Sequence, residues 1–329
     1  MRAAWIDALG PPESIRCGDL PIPTFGPSDV LIRVFATAVN PVDTFIRSGR
    51  YRTPLSFPFV IGRDLVGQVC ECGMSVVRVR IGDWVWCNSL GYDGRQGACA
   101  EYAVAPEERI YPLPQGVDPF VSVAVAHPAA TAYLALITHG QLTAGECVFI
   151  GGGAGNVGAA AITLAAQAGA RVIATAAATD LDYCRSLGAD IALDYRAPDL
   201  DALLRAEAAQ GVQLHLDTSG HVDFDIATEH LALRGRVILM AGLAATASFP
   251  VGRFYIRDGQ LLGFVISNAT TAELLSAAAR INALLSKGLL HPRRIEILPL
   301  SAAADAHRRL EAGHARGLRL VLRTDTTVH

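Results

Sequence analysis

The sequence predicts an α/β protein: a doubly wound parallel sheet joined to a second, β-rich domain. Three observations predict it. Residues 147–196 read CVFIGGGAGNVGAAAITLAAQAGARVIATAAATDLDYCRSLGADIALDYR. An apolar run (147–150) is followed by glycines, an Ala-rich helical segment closed by Gly169, and a β-rich run (171–175). That order is a βαβ unit. The alternation then continues, with candidate strands at 191–194, 214–217, 236–240 and 261–265. Six strands with intervening helices make a Rossmann sheet. Residues 1–110 instead show short apolar alternations at 29–38, 64–71 and 83–87, punctuated by Pro and Gly. This pattern reads as a partly closed barrel or sandwich.

Each remaining element follows from a local signal. Residues 119–140 are Ala-rich and helical in composition, with Pro128 expected as a break or a start. Residues 271–287 form an amphipathic helix ending at Gly288, followed by a strand (294–298), a helix (301–312) and a last strand (319–323). This tail is expected to rejoin the N-terminal domain. Gly153, Gly155 and Gly158 fit G-x-G-x-x-G, and Gly152, Gly155 and Gly158 fit G-x-x-G-x-x-G. Glycines there allow a tight turn, close approach of backbone to a pyrophosphate and close packing of helix on strand. Gly152, Gly153, Ala154, Gly155, Asn156 and Val157 are therefore the expected diphosphate cradle. A Rossmann methyltransferase would share the glycines alone.

The chain has 329 residues, enough for about two domains, and 51% of them are hydrophobic. A net charge of −3 without basic runs argues against nucleic acid as a partner. Apolar runs are interrupted well short of a membrane span, and the N-terminus lacks a signal-peptide pattern. Seven scattered cysteines fit free thiols in a reducing cytoplasm.

Several stretches carry a resemblance in order along nearly the whole chain: NPVDTFIRSGRY (40–51), FPFVIGRDLVGQV (57–69), IGDWV (81–85), ACAEYAVAP (98–106), ATAYLAL (130–136), the glycine run, DTSG (217–220) and LALRGRVILMAG (231–242). Together they resemble the medium-chain dehydrogenase/reductase superfamily, in its zinc-independent quinone oxidoreductase (zeta-crystallin-like) branch. The resemblance implies a GroES-like catalytic domain at 1–122, a Rossmann domain at 123–265 and a returning catalytic segment at 266–329. It implies NADPH-dependent reduction of a quinone or another α,β-unsaturated carbonyl, and a homodimer or homotetramer. The strand at 261–265 stands where relatives extend their sheet across a dimer.

The zinc enzymes of that superfamily need a Cys and a later His-Glu pair. Here Asn40 stands in the first place and Arg63-Asp64 in the second. Arg cannot ligate zinc and Asn is a poor ligand, so no metal is expected. An NAD enzyme places an acid after the second strand, but this chain has Ala176-Ala177-Ala178. The Lys that NADPH-using relatives offer is also missing: no Lys or Arg lies between Thr175 and Cys184. NADPH is favoured, with NADH left open. Thr175 and Tyr195 are the expected neighbours of the adenosine. Thr131, Ser219, Gly242, Leu243, Phe264 and Val265 are expected along the rest of the cofactor.

Reduction of an enone places charge on its oxygen, and donors aimed there speed the reaction. By resemblance Asn40 and Asp43 lie near the nicotinamide, and Tyr51 offers a hydroxyl because Phe45 replaces a family tyrosine. Arg47 and Arg63 are further donors, and His127 a possible proton source. Asn40 is equally a turn residue, since Asn-Pro is a turn signal. An enoyl-thioester reductase, or a crystallin-like or RNA-associated binding protein, would share the same scaffold.

Overall fold

The computed structural model describes residues 1–324. The chain divides into two compact units, Met1–His127 with the segment from Thr270, and Pro128–Ala269.

The first unit begins with β1 (Arg2–Ile6), β2 (Arg16–Asp19), β3 (Asp29–Ala38), α1 (Pro41–Arg47), β4 (Phe59–Val60), β5 (Leu65–Cys72), β6 (Trp84–Cys87), β7 (Tyr102–Pro106) and β8 (Tyr111–Pro112). Helix α2 (Pro119–Tyr133) then leads into the second unit. That unit alternates β9 (Cys147–Gly151), α3 (Asn156–Gln167), β10 (Arg171–Ala176), α4 (Leu181–Ser186), β11 (Ile191–Asp194), α5 (Leu200–Glu207), β12 (Val212–Asp217), α6 (Phe224–Glu229), β13 (Leu231–Leu239), α7 (Val251–Tyr255) and β14 (Gln260–Gly263). The chain returns to the first unit with α8 (Thr271–Ser286), β15 (Ile295–Pro299), α9 (Ala303–Glu311) and β16 (Arg319–Arg323).

In the first unit β3 is the central strand. The sheet order is β15-β16-β3-β5-β6-β8, with β7 also paired to β3, and β2-β1-β4 form a separate small sheet. Val30, Ile32 and Val34 point into one buried cluster with Leu65, Val69 and Val85. Burying each such side chain contributes about 1.5–3 kcal/mol. The return of the tail is fixed by register. Strand β16 runs antiparallel to β3, with Val321 opposite Ala38 and Arg323 opposite Ala36. The pairing continues one step further, Val39 N–H donating to the Leu320 carbonyl at 3.0 Å.

In the second unit six parallel strands run in the order β11-β10-β9-β12-β13-β14. The order reverses between β9 and β12, so ligands are expected beyond the carboxyl ends of these strands. Three local expectations give way to tertiary structure. Helix α2 runs straight through Pro128 and closes with a π-helical segment, Leu134–His139. Residues 122–127 and 129–132 are all buried, and that packing outweighs the lost hydrogen bond. By length and composition Pro119–His139 also passes for a membrane span, but 78% of its apolar window is buried inside the protein, as in a core helix. The fifth strand of this sheet starts at Leu231 rather than 236, because a bulge at Arg234, with φ of 60°, joins two short runs. Strand β14 stops at Gly263, so Phe264 and Val265 lie just past its end.

Candidate functional site

Two constellations are candidates for the chemistry, one in each unit. In the first unit, Asn40 caps α1, with Pro41 at the first helical position. Its own N–H donates to Asp43 Oδ2 at 2.8 Å, half of a capping box. The Asn40 side chain faces inward. Its Nδ2 donates to Asp64 Oδ2 at 2.8 Å, and its Oδ1 accepts from Arg319 Nη2 at 2.9 Å. His127 Nδ1 lies 3.7 Å from Asp64 Oδ1. Asn40, Asp43, Arg63, Asp64, His127 and Arg319 are all buried.

Burial dominates the electrostatics of this cluster. It raises Asp64 to about 8, helped by the neighbouring Asp43 charge and opposed by Asn40, Arg319 and Arg63. It raises Asp43 to about 6 against the Asn40 N–H and the same two guanidinium groups. His127 is pushed well below its ordinary value, first by burial and then by Arg63 and Arg319, so it stays neutral. Two guanidinium groups thus occupy a buried interior with two carboxyl groups, where pairing is required.

Arg63 extends the cluster outward. Its guanidinium carbon lies 5.4 Å from the ring centroid of Tyr92. Tyr92 stacks on Tyr51, with centroids 5.6 Å apart and planes 8° from parallel, and the two hydroxyls are 3.4 Å apart. That hydrogen bond, followed by burial, pushes Tyr92 up to about 12. Both tyrosines are half-buried. Arg47 does not join this group. Its buried guanidinium pairs with Glu311 instead. Arg319 and Tyr92 were not foreseen from the sequence.

In the second unit the glycine turn joins β9 to α3. Gly152 has φ of +72°, Gly155 caps α3 in an extended conformation, and Gly153 N–H donates to the Thr175 carbonyl at 2.8 Å. A Cβ on Gly158 would lie 2.2 Å from the Gly152 carbonyl oxygen, so helix and turn touch backbone to backbone. A Cβ on Gly155 would meet a single atom within 4 Å. The turn is closed toward the protein and open at Gly155. The first N–H groups of α3, from Asn156 and Val157, have no preceding helical carbonyl, and its first turn holds no acid. This donor set fits a diphosphate.

The other expected cofactor contacts lie in the same unit. Thr131 and Thr175 are buried. Tyr195 is 48% exposed, and its N–H donates to the Ala176 carbonyl at 3.1 Å. Ser219 N–H and Oγ both bond Asp217 Oδ1, at 2.7 and 2.6 Å. Thr218 Oγ1 donates to the Gly151 carbonyl at 2.8 Å and ties this loop to the glycine turn, a support the sequence did not disclose. Gly242, with φ of +79°, packs on the Gly220 carbonyl, and both border a cavity of about 230 Å³. Leu243 is exposed, and Phe264 stacks on His139 at 4.8 Å.

Comparison with known proteins matches two stretches of the chain to two family descriptions. Residues 26–115 match the alcohol dehydrogenase GroES-like domain, and residues 156–280 match the zinc-binding dehydrogenase family. A quinone oxidoreductase of Sus scrofa is 30% identical over 96% of this chain and 95% of its own length. The chain belongs to the medium-chain dehydrogenase/reductase superfamily, in its quinone oxidoreductase-like group. Two solved superfamily structures agree in fold. An NAD-dependent alcohol dehydrogenase superposes with a TM-score of 0.88 at 30% identity, covering 99% of this chain and 100% of that one. The mycobacterial protein Rv1454c complexed with NADPH gives 0.84 at 28% identity, covering 98% and 100%. This member of the superfamily is therefore an oxidoreductase with a GroES-like fold and a Rossmann fold, and it uses a nicotinamide cofactor. Among its described residues no three His, Cys, Asp or Glu side chains gather as a metal-ligand set.

Proposed function

We propose that this protein is a zinc-independent, NADPH-dependent reductase of quinones or other α,β-unsaturated carbonyl compounds. The observation that carries the reading is the donor set around Asn40. Where zinc relatives need Cys and His, this chain has an amide held between Asp64 and Arg319, with Arg63 beside them. Two guanidinium groups in that place repel a dication.

A bound nicotinamide supplies hydride. The chain's residues do the rest. The open turn from Gly152 to Val157 would hold the diphosphate, through the free N–H groups of Asn156 and Val157 at the start of α3. As hydride reaches the β-carbon of the acceptor, the carbonyl oxygen gains negative charge. The Tyr51 hydroxyl, which donates to Tyr92 at 3.4 Å in the free protein, would turn to give its proton to that oxygen, Tyr92 would return a proton to Tyr51, and water would restore Tyr92. Asn40 and Asp43 act as positioning residues by fixing the start of α1.

The test is NADPH oxidation against quinones, short enones, a crotonyl thioester and aldehydes, with and without chelator. Turnover of quinones or enones, insensitive to chelation, supports the reading. Turnover that needs added zinc, or none with any acceptor, defeats it. We further propose a cytoplasmic homodimer built on β14. This strand is the sheet edge, and Leu261, Val251, Tyr255 and Ile256 around it are exposed. A monomer in sedimentation would count against it.

A further inference from the structure

We propose that Arg196 is the 2′-phosphate ligand of this chain, a role that rests on the NADPH reading above. The sequence has no Lys or Arg between Thr175 and Cys184, where such a ligand is sought. The structure supplies one from the neighbouring strand. Strands β10 and β11 are parallel, with Ala176 opposite Asp194. The chain leaves β11 at the carboxyl edge of the sheet, and Tyr195 N–H is bonded to the carbonyl of Ala176, the last residue of β10. Arg196 is the next residue, so its backbone starts one 3.8 Å step from that clamp.

The side chain is held outward. Arg196 N–H donates to Asp194 Oδ1 at 3.0 Å, which fixes the turn, and the guanidinium carbon lies 4.9 Å from the Tyr195 ring centroid. Stacking on a tyrosine orders the fork while leaving its N–H edge available, and a planar fork suits a phosphate monoester. Arg185, the other arginine of this corner, is committed to Asp182 at 2.7 Å and to the Ala192 carbonyl. On this assignment, substituting Arg196 alone should remove the discrimination for the 2′-phosphate.

The experiment is calorimetric titration of the full-length protein with 2′,5′-ADP and with 5′-AMP, which needs no turnover. The wild type is expected to bind 2′,5′-ADP at least tenfold more tightly than 5′-AMP. Arg196→Gln should weaken 2′,5′-ADP ten- to hundredfold and leave 5′-AMP within twofold, and Arg196→Lys should fall between. If Arg196→Gln keeps the full preference, the assignment is wrong while the NADPH reading stands. If Arg196→Gln loses 5′-AMP binding as well, Arg196 serves the fold and the assignment is again wrong. If the wild type shows no preference, the NADPH reading itself falls.

Discussion

Asp64→Asn tests the electrostatics of the buried cluster directly. Asp64 is wholly buried and burial lifts it to about 8, whereas an unfolded aspartate titrates near 3.9. The folded protein therefore holds a proton that the unfolded chain has released. For a group shifted upward, the stabilisation is complete below the unfolded value. It is lost as pH rises toward the folded value, about 8 here. One such proton contributes a slope of about 1.4 kcal/mol per pH unit. Between the Asp43 and Asp64 values, about pH 6 to about pH 8, the wild type should lose roughly 2–3 kcal/mol through Asp64. An asparagine cannot titrate, and its side-chain carbonyl still accepts the Asn40 amide. The wild type should already be less stable than Asp64→Asn by about 3 kcal/mol at pH 6, and the gap should widen by about 2 kcal/mol more at pH 8. Urea unfolding followed by tryptophan fluorescence measures this. Parallel stability curves across the window would mean that Arg63 and Arg319 keep Asp64 ionised throughout, and the argument from burial would be refuted.

Other perturbations test other parts. Gly158→Ala forces a Cβ to 2.2 Å from the Gly152 carbonyl and 2.9 Å from Gly153 Cα. Backbone on both sides cannot yield cheaply, so we expect a loss of about 1–3 kcal/mol or more, seen as a lower Tm, together with loss of NADPH binding. Tyr51→Phe removes the hydrogen bond that lifts Tyr92 to about 12, so absorbance titration at alkaline pH should show Tyr92 ionising lower. If Tyr51 is the proton donor, the same variant should lower kcat by about 10²–10⁴-fold with KM nearly unchanged. Tyr92→Phe should lower kcat less and alter its pH profile, and a Tyr51→Phe enzyme of normal kcat would remove Tyr51 from the mechanism.

Local rules read the second unit well because its strands are short apolar runs bounded by turns. The expected strand at 191–194 is observed unchanged, and those at 147–150 and 171–175 lengthen by one residue each. The cap of α1 was also within reach, since Asn40, Pro41 and Asp43 interact within one turn. What escaped depends on distant partners. Pro128 announces a break that burial of its neighbours overrides. Nothing in the sequence marks Tyr92 as the partner of Tyr51, 41 residues away. Arg319 lies 279 residues from Asn40 and reads as an ordinary strand residue. Its role appears only through register. Once Val321 faces Ala38, two further steps along antiparallel strands bring Arg319 to Asn40.

That register also bears on the metal question. Exchanging ligand residues alone would not restore a zinc site here. Asn40→Cys with Arg63→His would supply a thiolate and an imidazole, but Arg319 would still direct a guanidinium at position 40, where Nη2 now sits 2.9 Å from Oδ1. A cation fixed there opposes a dication and favours the thiolate as its own partner. We therefore expect zinc uptake only when Arg319 is replaced as well, measured as bound metal per chain after dialysis. On this reading, zinc uptake at position 40 is opposed by three elements at once: the cap of α1, the segment before β5 and the returning strand β16.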